Sequence, residues 1–249
     1  MRYFLELSYN GAAYHGWQNQ PKAISVQEVI EKGLSVLLKT AVSIVGAGRT
    51  DAGVHAKQMF AHFDADKSLN LEDLAYKLNA FLPKDIAVHN VLQVQPEAHA
   101  RFDAISRSYL YRIALQKNVF NYEHTYYVKP KLDIEAMKEA ATVLLGYKDF
   151  QCFSKSNTDV KTYNCDIKAV VFNVVEDELL FTITADRFLR NMVRAIVGTL
   201  INVGLRKITA QDMHRIILSK DRGEAGYSVP AQGLYLTQVM YPKSIYINE

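Results

Sequence analysis

Apolar and polar residues alternate over residues 2–9, RYFLELSY, which is the period-two pattern of a half-buried strand. Over residues 25–40, SVQEVIEKGLSVLLKT, the period lengthens. Val26, Val29, Ile30, Leu34, Leu37 and Leu38 recur at helical spacing. Ser25 stands where an N-cap belongs, and Glu28 three residues on completes a capping box. Residues 41–47 (AVSIVGA) and 57–65 (KQMFAHFDA) predict two more strands, 71–82 (LEDLAYKLNAFL) a helix, and 85–94 (DIAVHNVLQV) a strand. The order β-α-β-β-α-β is that of a split β-α-β, or ferredoxin-like, unit, in which helices cover one face of an antiparallel sheet.

The second half reads as a decorated version. Residues 106–115 (SRSYLYRIAL) predict a strand and 133–146 (DIEAMKEAATVLLG) a helix. The segments CDIKAVVFNVVED and ELLFTITADR pair as a hairpin through residues 176–178. Residues 188–204 (FLRNMVRAIVGTLINVG) predict one long helix, 209–219 another, and 233–241 (GLYLTQVMY) a closing strand. The expectation is a two-domain α+β protein, residues 1–104 and 105–249. Its two ferredoxin-like (split β-α-β) halves would share a mainly antiparallel sheet, with a central catalytic cleft between them. The halves share an order of elements but no residue-level repeat.

Composition changes this picture little. The chain has 249 residues, 49% of them hydrophobic, so a sizeable core is available, and the 22% charged fraction carries no disorder signature. No apolar run approaches the roughly 18 residues of a membrane span, and no secretory leader is visible. Cys152 and Cys165 have no metal-like spacing and read as reduced thiols, so the expected setting is cytoplasmic. The net charge of +3 is a mild excess that does not by itself indicate nucleic acid.

The candidate chemistry lies in residues 46–56, GAGRTDAGVHA. Dinucleotide binding fails on spacing, since Gly46, Gly48 and Gly53 do not form G-x-G-x-x-G. It fails again because a strand pattern follows where a phosphate site needs a helix N-terminus. A phosphate-binding loop of the Gly-Lys-Ser/Thr kind is absent. A metal or acid–base site of Asp51, His55 and His62 lacks a supporting carboxylate cluster. A histidine beside a strand is more often a packed, hydrogen-bonded residue. The plainer reading is a hairpin loop, with Gly48 and Gly53 forming the turn. Arg49, two residues before Asp51, tilts the balance, because a buried carboxylate needs a cation to stay ionised and an exposed turn needs none.

The stretch GRTDAGVHA, residues 48–56, resembles the catalytic motif of the tRNA pseudouridine synthase A family without a mismatch. YNGAAYHGWQNQ (9–20) resembles the family's N-terminal motif, although Asn10 and Ala12 replace the more usual Asp and Thr. ARFDAISRSYLYRI (100–113), FLRNMVRAIVG (188–198) and SVPAQGLYLTQVMY (228–241) resemble its later motifs, in family order. The resemblance therefore covers the whole chain.

It implies isomerisation of uridine to pseudouridine at positions 38–40 of the tRNA anticodon stem-loop, without metal, redox cofactor or nucleotide. It implies a homodimer with tRNA as partner. By match to the motif, Asp51 is the nucleophile, attacking C1′ of the ribose or C6 of the base. Arg49 helps expose the uridine, and Tyr109 stacks on it. Arg194 pairs with Asp51, with Arg190 as the alternative. Strand periodicity puts Arg107, Tyr109, Tyr111 and Ile113 on one face, and helical periodicity puts Arg190 and Arg194 one turn apart. Arg107 and Arg190 are counted with Arg101, Arg187, Arg206, Lys207, Arg215, Lys220 and Arg222 as candidate phosphate contacts, which position RNA without reading sequence. His15, Trp17 and Gln18 have no chemistry that the residues reveal. The rivals are a non-catalytic RNA-binding module and an oxidoreductase, the latter disfavoured by the glycine spacing.

Overall fold

The computed structural model describes residues 1–156 and 160–247. Two compact units divide the chain. The first holds Met1–Ser106 and the residues from Tyr235 onward, and the second holds Arg107–Leu234. The class is α+β, with mostly antiparallel strand pairing.

The first unit contains strand β1 (Arg2–Tyr9), helix α1 (Val26–Leu38), strands β2 (Val45–Gly46) and β3 (His55–Asp64), helix α2 (Leu71–Phe81) and strand β4 (Ile86–Val94). β1 pairs antiparallel with β3 and β4, and β2 pairs antiparallel with β3. The strand order is therefore β4-β1-β3-β2. Tyr3, Leu5, Leu7 and Tyr9 are buried on one face of β1, as its alternation predicts. Phe4, on the other face, is buried too, its ring 5.1 Å from Tyr241 and 6.2 Å from Phe60.

Ser25 caps α1 by accepting the Glu28 N–H at 3.1 Å, and the helix buries Val26, Ile30 and Leu34. Residues 41–47 are not a full strand. The backbone of 42–44 is taken by α1 side chains instead: Ser35 Oγ accepts from Val42 N, Glu31 Oε1 accepts from Ile44 N, and Gln27 Nε2 donates to Ile44 O. With its backbone groups satisfied there, the segment reaches strand pairing only at β2. Asn70 caps α2, and the Asn79 amide bonds both N–H and C=O of Val88, holding α2 to the edge strand β4.

The second unit contains strand β5 (Ser106–Ala114, whose first residue belongs to the first unit), strand β6 (Tyr126–Tyr127), helix α3 (Ile134–Val143), strands β7 (Ile167–Val175) and β8 (Glu178–Ala185), and helices α4 (Met192–Gly204) and α5 (Asp212–Ser219). β8 lies between β5 and β7, antiparallel to both, and β6 adds to β5 in parallel over two residues. β7 and β8 join through Glu176, in the left-handed region at φ 53°, and Asp177. β5 and β8 run in register from Arg107–Ala185 to Ala114–Glu178. Tyr109, Tyr111 and Ile113 thus face the same side as Ile183, Phe181 and Leu179. The bidentate pair of Arg112 with Glu178, both contacts 2.8 Å, holds the far end of that register.

Two expectations for residues 188–204 need correction. The helix starts at Met192, not at Phe188. Asn191 stands in the left-handed region at φ 67°, a conformation asparagine tolerates and a continuing helix does not. Arg190 therefore does not share a helix face with Arg194. Eleven residues of α4, from Met192 to Gly204, are buried all round the axis, as in a helix enclosed by its neighbours.

The last strand, β9 (Leu234–Met240), runs into the first unit, where Tyr235 and Leu236 pair in parallel with His55 and Ala56. Beyond that short ladder the Gln58 side chain takes over, accepting from Val239 N at 2.9 Å.

Candidate active site

In the first unit, Asp51 sits on a tight turn between β2 and β3. Its carbonyl accepts from Val54 N at 3.2 Å, and Gly53 supplies the positive φ, 78°, at the third position. Asp51 is half-buried and Arg49 is exposed. Gly48 takes no left-handed φ, and a Cβ there would meet nothing within 4 Å, so the turn does not require glycine at 48.

The turn is braced from residues 9–17. Tyr9 Oη and Thr50 Oγ1 share a hydrogen bond of 2.8 Å. Trp17 N donates to Thr50 O at 3.2 Å, and Gly53 N donates to Tyr14 O at 3.3 Å. Gly16, at φ 91°, passes so near the loop that a Cβ would stand 2.4 Å from Thr50 O. Trp17 is buried, and its indole fills the space beside Gly46. Trp17 is thus a wall of the loop, a role its residue type alone did not reveal.

His55 is buried. Its Nδ1 accepts from Gly11 N at 3.1 Å, and its ring stacks on Tyr235 at 4.6 Å. His62 likewise accepts a backbone N–H, that of Ala100. Both are packed, hydrogen-bonded residues of β3. Among the described residues, no three His, Cys, Asp or Glu side chains are grouped as a metal site needs.

In the second unit, Tyr109 is half-buried near the start of β5 and meets Phe188 edge to face, centroids 5.0 Å apart. Two residues along, Tyr111 is fully buried and donates to Pro230 O at 2.7 Å. Burial pushes the Tyr111 phenol well above its ordinary value, and the nearby Arg194 charge opposes that rise. Tyr109 is therefore the accessible member of the pair.

Arg194, half-buried in the first turn of α4, donates from Nε to Val229 O at 2.7 Å, while its own carbonyl accepts from Val229 N. That bond fixes the guanidinium plane. Asn191 Nδ2 and Arg222 Nη2 both reach Ser228 Oγ, and Gly226 N donates to Thr199 Oγ1, so residues 226–229 lie along α4. Arg107 Nη1 donates to Asp186 O at 2.8 Å, at the end of β8. Arg190 is exposed and its carbonyl accepts from Lys155 N.

Several candidate phosphate contacts are engaged within the unit. Arg206 pairs with Asp133, Arg215 with Asp212 and Glu224, and Lys220 with Asp149. Arg222 also donates to Gly226 O.

Residues 7–103 and 140–242 match the family described as tRNA pseudouridine synthase. The chain belongs to that family. Arg49 and Asp51 lie in the first matched segment and Arg190 and Arg194 in the second, with Arg107 and Tyr109 between them. A protein of Parabacteroides distasonis named tRNA pseudouridine synthase A is 53% identical over 246 residues, 98% of each chain. One of the same name from Bacteroides thetaiotaomicron is 51% identical over 251 residues, all of this chain and 93% of the relative. A third, from Shouchella clausii, is 41% identical over 247 residues, 98% and 95%. Family membership thus extends across both units. No helix among the described residues is long and apolar enough to cross a membrane.

Proposed function

We propose that this chain isomerises uridine to pseudouridine in tRNA, in the anticodon stem-loop, with Asp51 as nucleophile. The observation that carries the reading is the intact stretch from Gly48 to Ala56, held on a turn braced by Tyr9, Gly16 and Trp17. The N1–C1′ bond breaks, the base turns, and a C5–C1′ bond forms. The atoms balance without an oxidant or a second substrate. A covalent carboxylate divides this rearrangement into two easier steps, through C1′ or C6.

Tyr109 stacks on the extruded base, which helps offset an unstacking cost of a few kcal/mol. Its half-exposed ring, set edge-on against Phe188, suits that work. Arg49 opens the stem or grips its phosphates. Arg194 balances the Asp51 charge, and its Nε bond to Val229 supports it over Arg190, which stands outside the helix. Arg107 and Arg190 contribute to phosphate binding. The architecture we infer is two ferredoxin-like halves, residues 1–104 and 105–249. The order β4-β1-β3-β2 supports this for the first, and the placing of β8 between β5 and β7 for the second. The enzyme works as a cytoplasmic homodimer without added cofactor.

The test is incubation with unmodified tRNA, followed by carbodiimide or mass-spectrometric mapping of pseudouridine. Wild type converts uridine in the anticodon arm. Asp51→Asn stays folded and loses turnover by roughly 1,000-fold or more. Binding without product by the wild type, or wild-type-like turnover by Asp51→Asn, overturns the reading.

A further inference from the structure

Residues 99–103 of the first unit build a surface feature that the reaction at Asp51 does not use. Phe102 is 72% exposed. Single exposed apolar side chains are common and need no explanation. This one differs in how firmly it is held and in what stands beside it. His99 Nδ1 accepts from both Arg101 N (3.1 Å) and Phe102 N (3.3 Å). His99 N donates to Asp103 Oδ2 at 2.7 Å, and Asp103 N returns to His99 O at 3.1 Å. The tight turn is anchored below by His62, which takes the Ala100 N–H.

The rings form a column. His62 meets His99 at 4.6 Å between centroids, His99 meets Phe102 at 4.3 Å, and the Arg101 guanidinium lies 5.6 Å from the Phe102 centroid. The inner end is buried in β3, while the outer end presents an aromatic ring and a cation. A planar, electron-rich ring in a fixed position beside a guanidinium is what a nucleobase and its phosphate meet in single-strand recognition.

The column is also far from the reacting centre. His55 opens β3 next to the Asp51 turn, and His62 is seven residues further along it. At strand rise that is about 23 Å, more than one nucleotide spans.

We propose that Phe102, with Arg101, is a stacking platform for an unpaired nucleobase of the tRNA, other than the uridine that is isomerised. This rests on the proposed action on tRNA. The platform contributes to holding the substrate and does not touch the reacting atoms.

The experiment compares wild type with Phe102→Ala, Phe102→Leu and Phe102→Trp. It measures equilibrium binding of unmodified tRNA, single-turnover conversion at saturating enzyme, and sedimentation. Ultraviolet crosslinking of the wild-type complex follows, with trypsin digestion. Phe102→Ala weakens tRNA binding by roughly 5- to 150-fold, the range for losing one base–aromatic stack. Phe102→Trp restores binding and Phe102→Leu does not, since a branched apolar side chain replaces area but not a π-face. Conversion of bound tRNA is unchanged in all three. The crosslinked nucleotide appears on the peptide of residues 102–107.

Wild-type binding by Phe102→Ala overturns the platform, as does full rescue by Phe102→Leu. A change in sedimentation of Phe102→Ala without tRNA overturns it in favour of a contact with a second copy of the chain. If wild type converts tRNA while these results go against Phe102, the platform alone falls. If wild type neither binds nor converts tRNA, the proposed activity falls with it.

Discussion

Gly16 and Thr50 meet with no room for a side chain between them: a Cβ on Gly16 would stand 2.4 Å from the Thr50 carbonyl oxygen, on a backbone already at φ 91°. The residue before the catalytic candidate is thereby positioned from a segment 34 residues earlier in the chain. Gly16→Ala must move the loop or strain itself. The expected cost is roughly 2–4 kcal/mol of stability, with a loss of turnover larger than the loss of folded protein. Denaturant unfolding and activity per folded molecule, measured on the same preparation, check both parts.

Asn191 sets where α4 begins. Its left-handed backbone and its Nδ2 bond to Ser228 place Arg194 in the first helical turn. Asn191→Ala loses both the tolerated conformation and the bond, at about 1–2 kcal/mol. Asn191→Gly loses only the bond and is milder. Thermal unfolding of the two variants should rank them in that order; equal losses would show that the backbone conformation contributes nothing.

His62 makes stability depend on pH. Burial pulls its pKa down to about 4; Arg2 and His99 push the same way, while Asp64 and Asp103 oppose. The folded state therefore holds the ring neutral where the unfolded chain, near 6.5, already binds a proton. The contribution is fully present above about pH 6.5. It is lost progressively as pH falls to about 4, amounting to about 3 kcal/mol. His62→Gln keeps an acceptor for Ala100 N and should flatten that slope, as measured by urea unfolding from pH 7 to 4.

Arg112 and Glu178 bond through two parallel contacts of 2.8 Å and are each about one-fifth to one-quarter exposed, at 25% and 18%. Such a fork should couple more strongly than an exposed helix pair such as Lys138–Glu135. A double-mutant cycle to alanine is expected to give about 1–2 kcal/mol for Arg112–Glu178. Arg112→Lys retains the charge and still loses about 1 kcal/mol, because an ammonium cannot form both contacts.

Most elements could be read from the chain because their periodicities record the burial that makes them: β1, α1, β3, α2 and β4 begin and end within a few residues of the expected places. The misreadings have local causes. Residues 41–44 look like a strand, but Gln27, Glu31 and Ser35 of α1 supply their backbone partners, and no windowed pattern reports a contact across that distance. Residues 188–191 look helical because their apolar spacing is helical; the bond from Asn191 to Ser228, 37 residues on, decides otherwise. At the candidate site, Asp51 and its turn were visible through Gly53. The bracing by Tyr9 and Gly16 was not, since it depends on a close approach that only the folded chain makes.

The return of the last strand to the first unit bears on how the protein is made. A ribosome that has finished residue 106 has not yet made the residues that pair with His55 and Ala56, or Tyr241, whose ring covers Phe4. At about 5–20 residues per second, the stretch from 107 to 234 occupies the ribosome for roughly 6–25 s. Throughout that interval the nascent N-terminal sheet lacks the β9 partner of His55 and Ala56 and the Tyr241 cover of Phe4, so the stretch of β3 next to the Asp51 loop reaches its final setting only near the end of translation.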